Sequence, residues 1–203
     1  MIVTLLDYGA GNATSVERAL KRLGADSIRA GAPEQIADAQ VIVLPGVGHF
    51  ATLIRTLDER ALRPPLLDAI ARGVPFLGIC LGLQALYESS EEAPSLSGLT
   101  LLAGKVRGLP SNVKLPHMGW NQVRIERPSR LLENVSADAY FYFAHSYAAV
   151  DLDRSEACVA ACTHGANFAA VLEHKNICAV QFHPEKSGAP GAQILRNFLE
   201  LAA

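Results

Sequence analysis

Aromatic residues are scarce in this chain, at 6% of 203 residues, with a single tryptophan, Trp120. Charge is scarce too. Charged residues make up 19%, and 18 basic against 20 acidic side chains leave a net charge of −2. With no long basic run, that balance argues against a protein that holds nucleic acid electrostatically. No apolar stretch approaches the ~18 residues of a membrane span. The first residues, Met1-Ile2-Val3-Thr4-Leu5-Leu6-Asp7, read as a strand without a basic leader, so the expected compartment is the cytoplasm. Repeats, low-complexity tracts and interdomain linkers are missing, and residues 1–203 are expected to form one domain. What is abundant is hydrophobic sequence, at half of the chain, which marks a globular protein.

Cysteines number four: Cys80, Cys158, Cys162 and Cys178. A reducing compartment would keep them as thiols. Cys158 and Cys162 are spaced as a zinc pair could be, but Ala157-Cys158-Val159-Ala160-Ala161-Cys162 reads as a buried strand and no second ligand pair follows. Core packing is the expectation for both, and for Cys178 within Ile177-Cys178-Ala179-Val180. No metal site is expected.

In the first half, short apolar runs alternate with helix-like segments. Ile2 to Leu6, Val41 to Leu44 and Phe76 to Cys80 read as buried strands. Helices are expected from Ala13 to Leu23, through Leu53 and Leu57, and from Leu66 to Arg72. The second half reads as strands over Val113 to Ile125, Tyr140 to Val150, Ala157 to Thr163 and Phe168 to Phe182, with a hairpin turn at His174-Lys175-Asn176. A helix from about Ala192 to Leu201 closes the chain, and Glu91 to Gly98 reads as a surface loop. The fold class is therefore α/β: a mostly parallel central sheet flanked by helices, with additional antiparallel strands in the second half.

The chemistry concentrates at Gly78-Ile79-Cys80-Leu81-Gly82. An apolar strand, a cysteine between glycines and a helix start are the sequence form of a nucleophile elbow, with the glycines needed for close chain approach. Unpaired N–H groups at a helix start would favour the thiolate. His183 could take the thiol proton and Glu185 could orient that histidine; strand alternation is expected to put the first and third side chains of His183-Pro184-Glu185 on the same face. Asp7-Tyr8-Gly9, Pro45-Gly46-Val47-Gly48 and Cys80 all follow strand ends, so they are expected on one rim of the sheet. Gly9-Ala10-Gly11-Asn12-Ala13-Thr14 mimics a dinucleotide fingerprint, but Thr14 stands where its third glycine belongs, and a tight turn is expected instead.

With these residues in view, the chain resembles the class I, or triad, glutamine amidotransferases, and within them the glutaminase subunits of imidazole glycerol phosphate synthases. The narrower resemblance is carried by Asp7-Tyr8-Gly9-Ala10-Gly11-Asn12, Pro45-Gly46-Val47-Gly48, His117-Met118-Gly119-Trp120-Asn121, Tyr142-Phe143-Ala144-His145-Ser146-Tyr147 and Gln181-Phe182-His183-Pro184-Glu185-Lys186-Ser187, in the family's order. It implies one amidotransferase domain over residues 1–203, with Cys80 as nucleophile, His183 as general base and acid, and Glu185 as its orienter. A glutamyl thioester would form and be hydrolysed. Oxyanion donors are implied at Val47 and Leu81, and substrate contacts at Gly48, Gln84, Ser146 and Tyr147. Glycines around Val47 would let that peptide turn over when a partner docks, so Gly46→Ala is expected to alter dependence on the partner. The implied partner is a (β/α)8-barrel cyclase subunit, which takes the ammonia to make imidazole glycerol phosphate and an aminoimidazole carboxamide ribotide. Its docking face is expected to involve Tyr8, Asn12, His117, Met118, Trp120, Tyr142 and Lys186. No cofactor, nucleic acid or membrane is implied.

Blander roles stand beside these. His117 and His145 fit a structural hydrogen bond as well as an interface, Trp120 fits its strand's core, and Lys186 fits a solvated surface. His49, His164 and His174 read as surface or loop residues. A rival function is a glutaminase serving another synthase, such as those for anthranilate, pyridoxal phosphate or guanylate. It would lack the Asp7–Asn12 block. A cysteine peptidase or thiol chaperone of similar fold is opposed by Gln84 and the late His-Pro-Glu. A non-catalytic module is opposed by the intact Cys80, His183 and Glu185.

Overall fold

A computed structural model describes residues 1–9, 12–150 and 157–203. Ala10 and Gly11 of the Asp7–Asn12 block lie outside them. Among the described residues the central sheet has eight strands. β1 (Ile2–Leu6), β2 (Asp26–Ala30), β3 (Ile42–Gly46) and β4 (Phe76–Cys80) form its first half, in the order β2-β1-β3-β4. All are parallel. The helices between them are α1 (Ala13–Arg22), α2 (Pro33–Ala37), α3 (Phe50–Glu59) and α4 (Arg63–Ala71). Both faces of the sheet are covered, which is why β1, β3 and β4 read as largely apolar runs, broken in β1 only by Thr4. Val3, Leu5, Val43, Leu77 and Ile79 point to one core; Leu6, Ile42, Leu44 and Phe76 point to the other. That period-two division is strand geometry.

The second half adds α5 (Leu81–Gln84), β5 (Tyr87–Ser90), β6 (Leu102–Gly108), β7 (His117–Gln122), β8 (Arg124–Ile125), β9 (Tyr140–His145), β10 (Tyr147–Ala149), β11 (Cys158–His164), β12 (Ala166–His174), β13 (Ile177–Val180) and α6 (Gly188–Leu201). β13 inserts parallel to β4, and β12, β11 and β8 continue the sheet antiparallel. Lys175, at φ +55°, makes the turn between β12 and β13. β10, β6 and β5 form a small second sheet, and β7 with β9 a two-stranded third. Val16, Leu20, Ile194, Leu195 and Phe198 of α1 and α6 pack on one face of the central sheet. Ile36, Leu53, Leu57, Leu66 and Ile70 of α2, α3 and α4 pack on the other.

Several boundaries differ from the sequence reading. Residues 113–116 are bends and irregular chain ahead of β7, so the expected strand at Val113 begins at His117. Tyr140 to Val150 is two strands in different sheets, divided at Ser146. The last helix starts four residues early, at Gly188. Cys158, Cys162 and Cys178 are buried free thiols, and burial pushes Cys162 and Cys178 up to about 12.

The strand order reverses between β1 and β3, and the carboxyl ends of β1, β3, β4 and β13 lie side by side there. In open α/β sheets this is where a crevice forms.

Candidate active site

Cys80 ends β4 at φ +53°, ψ −104°, a conformation that costs a non-glycine residue about 1 to 3 kcal/mol. Three close approaches hold it there. A Cβ on Gly46 would stand 2.5 Å from Leu81 Cβ, and one on Gly78 2.7 Å from the Gly82 carbonyl oxygen. One on Gly82 would collide with the Leu44 carbonyl oxygen. β3, β4 and α5 therefore meet with backbone against backbone, and the sulfur is turned out of the sheet. Gly46→Ala thus tests the elbow itself and cannot isolate movement of the neighbouring turn. The helix that follows is a single turn of four residues, so the expected dipole is short and His183 is the stronger electrostatic partner.

His183 does not lie on a strand, as the same-face argument supposed. It lies three residues past the end of β13 at Val180, and Pro184–Lys186 is a 3-10 turn. The turn brings Glu185 Oε1 to 2.9 Å from His183 Nδ1, with both side chains buried. Backbone bonds pin the segment: His183 N donates to Tyr142 O at 2.8 Å, and Ser187 Oγ donates to His183 O at 2.6 Å. Asn12 Nδ2 donates to the same Glu185 oxygen. Burial opposes a charged His183, but the charge and hydrogen bonds of Cys80 and then Glu185 outweigh it and raise the imidazole to about 10. The arrangement favours an imidazolium beside the sulfur.

Cys80 and His183 open into a cavity of about 200 Å³, on the scale of one amino acid. Val47, Gly48, Leu81, Gln84, Ser146, Tyr147 and Lys186 line it too. Leu81, as the first residue of α5, has an N–H without an acceptor inside the helix. Val47 differs. Its N–H donates to Tyr8 Oη at 3.1 Å, and the same hydroxyl donates to Val47 O at 3.2 Å. Burial pushes the Tyr8 phenol up to about 12, which keeps it a neutral donor.

Sequence reasoning missed Glu92. It lies in the stretch read as a surface loop, yet its carboxylate lines the cavity and Oε2 accepts the Phe50 N–H at the start of α3, at 2.7 Å. Gln181 was read only as part of a motif. It is fully buried and lies between Gln84 and Cys80. No local pattern could have singled out either residue.

The expected docking residues divide. Met118 and Trp120 are 64% and 55% exposed on one face of β7, which removes the core reading of Trp120. Tyr142 pairs with Trp120 across the strands, their rings 6.0 Å apart, and Lys186 Nζ sits 5.7 Å from the Tyr142 ring. Tyr8 and His117 do not belong to this surface, because both are buried. Tyr8 braces Val47, and His117 hydrogen-bonds His145 at 3.1 Å and stacks on Phe143. Asn12 is half-buried and points at Glu185.

A family model described as "Glutamine amidotransferase class-I" matches residues 4–202. A protein named imidazole glycerol phosphate synthase subunit HisH, from Moorella thermoacetica, is 45% identical over 98% of this chain and 94% of its own length. Its namesake from Methanothermobacter thermautotrophicus is also 45% identical, over 98% of both chains. Among solved structures, one described as a glutamine amidotransferase superposes with a TM-score of 0.79 at 19% identity, over 100% of this chain and 99% of that one. A putative GMP synthase subunit from Thermoplasma acidophilum gives 0.71 at 20% identity, over 100% and 94%. These two likenesses carry the fold alone.

Proposed function

The chain belongs to the class-I glutamine amidotransferase family, and we propose that it is the glutaminase subunit of an imidazole glycerol phosphate synthase. In this reading residues 1–203 act as one amidotransferase domain in histidine biosynthesis. The single observation that carries the chemistry is the buried Glu185–His183 contact at 2.9 Å beside a cysteine held on a strained elbow.

His183 takes the thiol proton in the resting site, so that a thiolate stands beside an imidazolium. Cys80 Sγ then attacks the side-chain carbonyl carbon of glutamine, and His183 passes its proton to the amide nitrogen, which departs as ammonia. Glu185 holds Nδ1, so that Nε2 faces the sulfur. Water then cleaves the glutamyl thioester, releasing glutamate and restoring the thiol. The α-ammonium of an amino-acid substrate calls for an anion, and Glu92 supplies one on the cavity wall. Leu81 N–H and Val47 N–H are the oxyanion donors. The Tyr8 bonds support a resting state in which the second donor is withheld, and turning the Gly46–Val47 peptide over would deliver it. Gly48, at φ +98° with open space around it, gives the turn freedom to move.

The partner is a cyclase subunit of (β/α)8-barrel form that consumes the ammonia. Exposed Met118 and Trp120, half-buried Tyr142 packed against Trp120, and Lys186 on the cavity wall make a continuous surface that suits docking, and exposed aromatic anchors are common binding hot spots. A cytoplasmic location suits four unpaired cysteines. Among the described residues no helix is long and apolar enough to cross a membrane. The test is Cys80→Ala. Glutamate release should disappear, and a glutamine analogue with an electrophilic carbon in place of its amide should label Cys80 of the parent protein alone. Glutamine hydrolysis by the folded variant would overturn the mechanism.

A further inference from the structure

Gln181 lies fully buried directly after β13 and has no part in the chemistry above. Its backbone is settled by a bond from Gln181 N to Ala170 O at 2.9 Å, so the side chain is free to serve the site. Which way its amide points follows from one atom. The carbonyl oxygen of Tyr147 can only accept. Gln84 Nε2 lies 2.8 Å from it, so Gln84 presents its NH₂ there, and the same nitrogen donates to Gln181 Oε1 at 3.2 Å. With its oxygen engaged, Gln181 turns its own NH₂ to Cys80 Sγ, at 3.5 Å. Reversing the Gln181 amide would set two NH₂ groups face to face.

The same carbonyl fixes a second branch. His145 Nδ1 lies 2.9 Å from Tyr147 O and must carry the proton, which leaves Nε2 to accept from His117 Nδ1 at 3.1 Å. His117 Nε2 then accepts from Asn121 Nδ2 at 3.2 Å, and Thr163 O at 3.1 Å fixes that amide in turn. Every member has a donor facing an acceptor, as a buried polar network requires.

We propose that Gln181 is a further catalytic residue: its side-chain amide donates a hydrogen bond to the Cys80 sulfur. The inference rests on Cys80 being the nucleophile of the proposed glutaminase. A donor on sulfur favours the thiolate before attack, and again when sulfur leaves as the thioester is cleaved. Tyr147, through Gln84, is what aims that donor. The histidine branch keeps Tyr147 in place over a wide pH range, because burial pushes His145 down to about 3 and His117 down to about 4.

The test is Gln181→Met, which keeps the length of the side chain and removes the donor. Alkylation of Cys80 by iodoacetamide is followed by mass spectrometry from about pH 5 to about pH 10, on the protein alone. His183 with Glu185, Tyr8, His145, Glu92 and Lys186 are the titratable groups around the sulfur, and they are common to both proteins. On the rising limb the variant should react about tenfold more slowly, with the same plateau at high pH. Superimposable profiles would overturn the proposal, because support of Gln84 alone would leave the thiolate population unmoved. If the variant does not melt cooperatively, the parent protein answers. Its Gln181 side-chain NH₂ signal, followed by nitrogen–proton correlation spectra, should titrate with the midpoint of Cys80 alkylation, and a flat signal would overturn the proposal. Alkylation needs neither glutamine nor a cyclase, so failure here and failure of the glutaminase assignment are separate results.

Discussion

Removing one hydroxyl should switch the enzyme partly on. In Tyr8→Phe the ring stays in the core, where Tyr8 is 3% exposed, but both bonds to Val47 are lost. Each such bond contributes about 0.5 to 1.5 kcal/mol net, and Val47 is half-buried, so solvent recovers part of that when the bonds break. A loss of about 1.4 kcal/mol from the resting arrangement raises the population of turned-over peptide, and with it the rate, about tenfold. The effect belongs to the partner-free chain. With a liganded cyclase bound, the peptide is already delivered, and the rate should match the parent within about twofold. Glutamate release is measured at saturating glutamine, with and without the cyclase, beside a melting curve showing that the variant is folded. A folded variant whose partner-free rate is equal to or below the parent's refutes the reading that Tyr8 withholds the Val47 donor.

Other substitutions test the scaffold. Gly82→Ala drives a Cβ into the Leu44 carbonyl of a central strand and should cost about 3 kcal/mol or more, read as lost or sharply lowered thermal unfolding. Gly48→Ala meets no atom and should cost only the about 1 to 2 kcal/mol of a left-handed backbone; equal losses in the two variants would refute the close-approach argument. His145 and His117 are held neutral in the fold, at about 3 and about 4, against the ordinary value of about 6.5. The unfolded chain therefore binds more protons below about pH 6.5, and stability present above that value is lost as pH falls toward 4. A His117→Gln, His145→Gln double variant should show a flatter fall in melting temperature over that window, and a limb as steep as the parent's would refute the assignment.

β1, β3 and β4 were legible in the sequence because burial on both faces leaves them almost wholly apolar, with Thr4 of β1 the one hydroxyl among them. β2 was not. It is an edge strand with a mostly exposed Asp26-Ser27-Ile28-Arg29, and its only covered end residue is Ala30. β5 and β6 escaped for the same reason, being short or half-exposed strands outside the main sheet. Cys80, His183 and Glu185 were readable as residue types at an elbow and in a motif. The 3-10 turn that unites the last two was not, since strand and turn can both place residues i and i+2 near each other. Glu92, Gln181 and Tyr8 take their roles from neighbours 42, 97 and 39 positions away, and no local periodicity encodes such meetings. Asn12 looked like a rim residue and proved to be a support for Glu185, a partner 173 positions on.

The central claim is a glutaminase whose site is completed by a cyclase partner. Its most direct test is glutamate release from glutamine by the chain alone, then with a barrel cyclase subunit and that subunit's ribonucleotide substrate. The account predicts little release alone and a large rise with the liganded partner. Strong release by the chain alone, unchanged by the cyclase, would contradict it.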